Sequence, residues 1–368
     1  MGVFASSLHE RRRQGRPWAD RPRALRVAVF TTSFPSGDHD PSGRFVADAV
    51  ERLQAQGVAV QVIHPSLAGE GGVVAKLRRR PWLAPVFLAR SVLALRRADC
   101  ELVHAHWLLS GLVAALSGKP FVLTLHGSGS AGRFSDLELA ERSPRLVGAI
   151  LRRARLVIAV SEPLAAAARR CGAREVRVIP NGIVLPVQTS GEVEPAEILF
   201  AGRLSPEKGI QELVEACRGL NLVVAGDGPL RDLVPDALGF LSAAELADRY
   251  RRAAVVVCPS RSEGFGIVCA EAMAHGKPVV ATAVGGLQEL VHHARTGFLV
   301  EPGNPAALRV AIKLLLADPA LRRRLGENAR ADVAERFAWP AVTQATVEAY
   351  RSALGVEAPE PAPLEAAA

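Results

Sequence analysis

Two parallel-sheet α/β domains facing each other across a cleft are what the sequence predicts, on three observations. The chain has 368 residues, more than one hydrophobic core usually serves. Strand-length apolar runs alternate along it with amphipathic helical ones, the pattern of a doubly wound sheet. That alternation lapses once near the middle of the chain and then starts again.

Residues 25–30 form the first apolar run, and 43–56 read as an amphipathic helix closed by Gly57. Strand-like runs follow at 58–63, 101–106, 121–126 and 156–160, with helical stretches between them. Past Pro180-Asn181-Gly182 the pattern stops. The stretch 187–195 is polar, contains Gly and Pro and has no period, so it reads as a linker. The cycle resumes at 198–201, 222–225, 254–258 and 278–281, each run followed by a helical one. The resulting division is an Arg-rich extension at 1–24, a Rossmann-like domain at 25–185, a linker at 186–196, and a second Rossmann-like domain at 197–339. A helix at 340–354, free to cross back to the first domain, and a Pro/Ala/Glu-rich tail at 355–368 complete it. Both ends read as disordered. In such folds ligands sit beyond the carboxyl ends of the strands, here facing the cleft.

Apolar residues make up 49% of the chain and charged ones 22%, which is globular. The longest apolar stretch, 82–95, is too short for a membrane span and carries Arg90. Residues 1–24 lack the apolar centre of a secretory signal. Five cysteines at 100, 171, 217, 258 and 269 show no C-x-x-C spacing and read as reduced thiols of a cytoplasmic protein. Charge is unevenly shared. Residues 1–190 hold 27 Lys/Arg against 14 Asp/Glu, a net of +13, whereas 191–368 hold 18 against 23, a net of −5. A basic first domain points to an anionic partner, such as a membrane surface or a phosphorylated substrate. With aromatics at 5%, the Arg runs lack the stacking platforms of single-strand nucleic-acid binders, so nucleic acid is not expected.

The segment S-E-G-F-G-I-V-C-A-E places Glu263 and Glu271 around a strand-to-helix turn. Gly264 and Gly266 let a ligand approach the backbone there. The helix N-terminus, expected near residue 270, offers free N–H groups to phosphate. Amides for phosphate and carboxylates for sugar hydroxyls suit a sugar nucleotide. Taken alone, Glu263 would be a solvated loop residue and Glu271 a surface charge. One strand–helix unit away stands G-R-L-S-P-E-K-G, in which Arg203 and Lys208 can clamp a diphosphate, Arg bidentately and Lys as a point charge. Gly226-Asp227-Gly228-Pro229 is a further Gly turn at a strand end.

With A-G-R-L-S-P-E-K-G, G-D-G-P-L, S-E-G-F-G-I-V-C-A-E-A-M-A-H-G-K-P-V-V-A-T and G-G-L-Q-E-L-V in this order, the second half resembles the donor domain of the family-4 retaining glycosyltransferases of GT-B fold. The first half agrees through F-P-S and G-R-F-V at 34–46, H-A-H-W at 104–107, T-L-H-G-S at 124–128, V-S-E at 160–162 and I-P-N-G-I at 179–183. The resemblance implies that Glu271 binds the ribose hydroxyls, and that Glu263 with the amides of Gly264, Phe265 and Gly266 holds the donor sugar. It implies that Arg203 and Lys208 neutralise the leaving diphosphate, that Gly43 lets the first domain approach that diphosphate, and that His126 stands by the reacting face of the sugar. Gly129 and Val184 depart from the family, which often has Asp at both places.

Three other patterns weigh less. Gly127-Ser128-Gly129-Ser130-Ala131-Gly132 matches the dinucleotide G-x-G-x-x-G but follows the fourth strand rather than the first, with no acidic residue at the needed distance. Asp38-His39-Asp40 matches a metal-holding D-x-D, yet lies in a turn-forming stretch of Ser, Pro and Gly. His39 beside Asp also has the makings of an inverting general base. The expected protein is a cytoplasmic, metal-independent, retaining hexosyltransferase of cell-envelope glycan synthesis, with no cofactor. Its donor would be a UDP- or GDP-sugar and its acceptor a hydroxyl on a glycan, lipid carrier or small molecule. A sugar phosphorylase, a nucleotide-sugar epimerase and a non-catalytic sugar-nucleotide binder share the same fold signals. The segment 76–97, with cationic clusters around apolar residues, suggests docking on an anionic membrane, its part after Pro85 being a regular helix.

Overall fold

The computed structural model describes residues 24–65, 73–127, 136–187 and 196–356. The Arg-rich head, most of the linker and the acidic tail lie outside them. So do Gly129 and most of the G-x-G-x-x-G stretch.

The first sheet is formed by β1 (Arg26–Phe30), β2 (Ala59–Ile63), β3 (Leu102–His106), β4 (Phe121–Leu125), β5 (Leu156–Ala159) and β6 (Val176–Val178), in the order β2-β1-β3-β4-β5-β6. The second contains β7 (Glu197–Ala201), β8 (Leu222–Ala225), β9 (Ala253–Cys258), β10 (Val279–Thr282) and β11 (Gly297–Val300), in the order β11-β10-β9-β7-β8. Every pairing is parallel; Val27, for example, is in register with Val60 on one side and Leu102 on the other. Apolar clusters cover both faces of each sheet, which is why β3, β4 and β9 read as unbroken buried runs rather than alternating ones. The strand order reverses between β1 and β3 and between β7 and β9. Those are the switch points at which a doubly wound sheet opens a crevice.

Two strands and one helix start depart from the sequence reading by more than a residue or so. β6 is three residues long and half-buried, and β11 starts at a glycine, so neither announces itself as an apolar run. The helix after the Glu-Gly-Phe-Gly turn, α10 (Ile267–Ala274), begins three residues earlier than 270, because Gly266 adopts φ +97° and starts it there. That puts Glu271 at the fifth helical position.

The last helix, α14 (Trp339–Leu354), leaves the second domain and packs on the first. Its Trp339, Val342, Val347 and Tyr350 share one core with Val27, Val29, Leu102 and Ile158 of the sheet. The same core takes Val46, Val50 and Leu53 of α1 (Arg44–Ala55). The two chain crossings run side by side: Ile183 N–H donates to the Phe337 carbonyl at 2.8 Å, and the Trp339 ring lies where a Cβ on Gly182 would be. Trp339→Ala removes that ring from both the crossing and the core. It should lower stability by about 3 kcal/mol, read as a reduced urea midpoint.

Candidate active site

The donor-side half is built on loops after β7 and β9. Ser205 is extended and starts a tight turn, Pro206–Lys208, closed by Gly209 at φ +70°. A Cβ on Gly209 would overlap the Pro259 carbonyl oxygen, so glycine brings the two loops into backbone contact. Lys208 Nζ thereby reaches Glu263 Oε2 at 2.5 Å, and Ser260 Oγ donates to the same oxygen at 3.3 Å. The two charged side chains are 25% and 15% exposed. Burial alone would depress the Lys208 ammonium, but the charge and hydrogen bond of Glu263 beside it raise it overall, so Lys208 keeps its proton. Arg203 stands exposed just beyond the end of β7.

The acceptor-side half meets this loop through backbone. A Cβ on Gly264 would overlap the His126 carbonyl oxygen, and one on Gly127 would come within 2.6 Å of the Gly264 Cα. Gly127 also has φ +80°, which favours glycine in its own right. The carboxyl ends of β4 and β9 therefore touch, with the Glu263 loop lying against His126. The sequence reading has Gly264 admitting a ligand; in the fold its open face admits the other domain.

His126 ends a row of buried imidazoles. Its Nε2 lies 2.9 Å from His106 Nδ1, and the two rings stack with centroids 5.1 Å apart. The His104 ring lies tilted against that of His106, 4.2 Å between centroids, and holds Tyr350 Oη on α14 and Thr124 Oγ1, each at 2.6 Å. Burial, with His104 nearby, pulls His126 down to about 3, and burial pulls His104 equally low. These rings are neutral at physiological pH. Among the described residues His126 Nδ1 is buried without a partner, which leaves one polar atom for a substrate hydroxyl. Phe45 and Trp107 wall the ring at 4.8 and 4.9 Å between centroids. Trp107 is held at φ +69°, a strained conformation for a bulky residue.

Glu271 is the third element. Tyr250 Oη donates to its Oε2 at 2.8 Å. Burial pushes the carboxyl up to about 7. The Tyr250 bond lowers it, Asp48 raises it and Arg44 lowers it, and those last two belong to α1 of the opposite domain. The start of α1 thus faces Glu271 across the cleft.

Residues 42–185 match the family described as Glycosyltransferase Family 4, and 187–332 match Glycosyl transferases group 1. A D-inositol 3-phosphate glycosyltransferase of Pseudarthrobacter chlorophenolicus is 33% identical, over 69% of this chain and 71% of that one. The chain belongs to family 4 of the GT-B glycosyltransferases. An uncharacterized glycosyltransferase of Methanocaldococcus jannaschii is 38% identical, but that match spans 43% of this chain and 45% of the relative. A solved sucrose-phosphate synthase from Thermosynechococcus elongatus superposes with TM-score 0.75 at 28% identity, covering 90% of this chain and 99% of that one.

Within this glycosyltransferase the remaining candidate residues have distinct places. Gly43 starts α1 at φ +67°, and a Cβ there would overlap the Ser33 carbonyl oxygen, so it folds the loop after β1 onto itself. Phe265 turns its ring into the core against Phe337, 5.3 Å between centroids. Gly266 is the cap residue of α10, and a Cβ there would press on Leu287 at 2.6 Å. Asp40 closes its own turn, accepting from Ser36 N–H, Ser36 Oγ and Ser42 N–H; His39 reaches across to Glu245 of the second domain at 3.5 Å. Val184 is exposed.

Four contributors escaped the sequence reading. His106 and Tyr250 touch His126 and Glu271 as described. Asp136 accepts from the amides of Leu108 and His126, both at 2.9 Å, and donates its own N–H to the Gly127 carbonyl. Burial raises its carboxyl to about 6 against those backbone bonds. Glu289 accepts the Glu162 N–H through both oxygens, at 3.0 and 3.2 Å, across the domain boundary. H-A-H-W marks His106 in sequence; nothing local marks Asp136, which is ordinary until the fold brings it under His126.

Gly264→Ala tests the backbone contact. The added methyl should hold the two domains apart and lower kcat/KM by roughly 10²-fold, as misplacement of reacting groups by about 1 Å does. Some loss of thermal stability should accompany it, because Val160 and Leu164 of the first domain share one buried cluster with Phe265 and Leu287 of the second.

Proposed function

We propose that this glycosyltransferase moves a hexosyl-type sugar from a UDP- or GDP-sugar to an acceptor hydroxyl, with retention and without a metal ion. The observation that carries the proposal is the Lys208–Glu263 pair held against the His126 carbonyl by Gly264. Lys208 and Arg203, with the free amides at the start of α10, receive the diphosphate. Glu263 and the amides of Gly264 to Gly266 hold the sugar, His126 Nδ1 meets one of its hydroxyls, and Glu271 takes the ribose diol.

In the reaction the bond from the anomeric carbon to the diphosphate oxygen breaks, and the acceptor oxygen bonds to that carbon on the same face. The acceptor proton passes to the departing diphosphate oxygen. A neutral, strongly depressed His126 is a poor base, which favours catalysis by positioning and leaving-group stabilisation. Turnover should survive exhaustive EDTA across a panel of UDP-, GDP- and ADP-sugars, with an α-linked donor giving an α-linked product by NMR. Lys208→Ala should lower kcat/KM about 10²-fold. Loss of activity restored by Mg²⁺, or unchanged kinetics in the variant, would overturn the clamp.

The acceptor proposed is anionic and lipid-linked, as in cell-envelope glycan synthesis, reached from the cytoplasmic membrane face. Among the described residues no helix is long and apolar enough to cross a membrane. On α3 (Ala84–Arg97) Phe87 and Leu95 are buried in the domain core, whereas Val86 and Leu93 face outward with Trp82 just before them. Trp82 is 68% exposed and Arg79, Arg80 and Arg97 lie around the patch. Apolar side chains among cations suit an anionic lipid interface. The protein should bind phosphatidylglycerol vesicles at low ionic strength, release at high salt, and bind several-fold more weakly as Trp82→Ala. Indifference to such vesicles would leave a soluble anionic acceptor as the partner of the basic domain.

A further inference from the structure

We infer that Tyr250 is a positioning residue that keeps Glu271 ionised and aimed at the nucleotide, and so sets the pH range over which donor is bound. The inference rests on the reading of Glu271 as the ribose ligand.

The helix α9 (Ala243–Arg252) is opened by a capping box between Ser242 and Glu245 and fully buries one side chain, Tyr250, with Leu246 partly buried beside the same core. The ring is 2% exposed and packs in the core beneath the donor loop. Core filling alone would be served by phenylalanine. A buried hydroxyl is retained where it has a partner, and this one donates to Glu271 Oε2 at 2.8 Å. An ionised carboxylate has about four acceptor positions; with one occupied by Tyr250, enough remain for two ribose hydroxyls. A protonated Glu271 would present a donor of its own and lose that match.

The groups around the pair leave few other candidates for a change of charge near neutrality. Tyr250 is held far above its ordinary range by burial and by Glu271, so it keeps its proton. His275, whose ring lies 5.2 Å from that of Tyr250, is drawn down to about 4 by burial and neighbouring cations, and stays neutral. Cys258 on β9 and Cys269 on α10 also face Tyr250, and Cys269 is held as a thiol by its bond with Cys258 and by burial. From the other domain, Arg44 and Asp48 act on Glu271 in opposite directions. Glu271 itself, at about 7, is the group poised to titrate.

The test is calorimetric titration of UDP and GDP into the full chain from about pH 6 to about pH 9, for the wild type, Tyr250→Phe and Glu271→Gln. Glu271→Gln cannot ionise at that position and reports the titration of the nucleotide's own phosphates. Relative to it, wild-type affinity should rise as pH increases through about 7 and then level off. Tyr250→Phe loses a bond to a charged group, so its rise should come at higher pH. At neutrality it should bind about tenfold more weakly than wild type, converging with it near the alkaline end. A Tyr250→Phe curve that tracks wild type, or lies below it by the same factor at every pH, would overturn the inference and leave Tyr250 a packing residue. Wild-type affinity in Glu271→Gln would instead sink the ribose reading, whatever Tyr250→Phe does.

Discussion

Where His126-Gly127 meets Gly264, two backbones from different domains come as close as main chains can, and a hydrogen is the largest substituent that fits between them. The candidate site depends on this approach, because the carboxyl ends of two sheets must converge before side chains from both can address one ligand. The donor loop is gripped from behind as well. Gly286 N–H donates to the Glu263 carbonyl at 3.1 Å, and a Cβ on Gly285 would overlap that same oxygen. The turn carrying these glycines runs into α11 (Leu287–Leu290), whose Glu289 caps α7 (Glu162–Arg170) in the first domain. The cap residue by sequence, Ser161, makes no such bond, and its buried Oγ has no partner among the described residues. A helix end in one domain is therefore satisfied by a carboxylate from the other.

Burial decides what each ionisable group can do in that space. Lys208 is removed from water beside Glu263 and keeps its charge through that partner. His104 and His126 are buried without a carboxylate partner, and lose theirs. Glu271 lies between these limits, with a hydroxyl in place of a cation. One protein thus holds a firm ion pair, a neutral imidazole row and a carboxyl near its midpoint, all close to one cleft. The differences come from partners rather than from residue type.

The fold spends its C-terminus on the same site. By crossing to the first domain, α14 supplies Tyr350, which anchors His104 and through the row of ring contacts supports His106 and His126. From the other side Asp136 ties the amides of Leu108 and His126 to one carboxylate. Trp107, between these two supports, is held at positive φ, a strain the surrounding packing has to overcome.

The architecture was legible in the sequence because a buried parallel strand is an apolar run and its helix is amphipathic, and both signals are local. The motifs that place the chain in its family were equally local: glycines at strand ends, with Arg203 near Lys208 in one motif and Glu263 near Glu271 in another. The short edge strands β6 and β11 were hidden, since a half-exposed strand of three or four residues needs little hydrophobicity. What the glycines are for was also hidden. Gly264 reads identically whether its empty face meets a ligand or the neighbouring domain, and the tertiary structure assigns that face to His126. Tyr250, Asp136, Glu289 and Tyr350 carry no sequence pattern tying them to the site. They stand from 10 to 246 residues from their hydrogen-bond partners. Spacing conveys chemistry only where neighbours in sequence are neighbours in space; the partners that set charge and orientation here are joined by packing, which only the folded chain brings about.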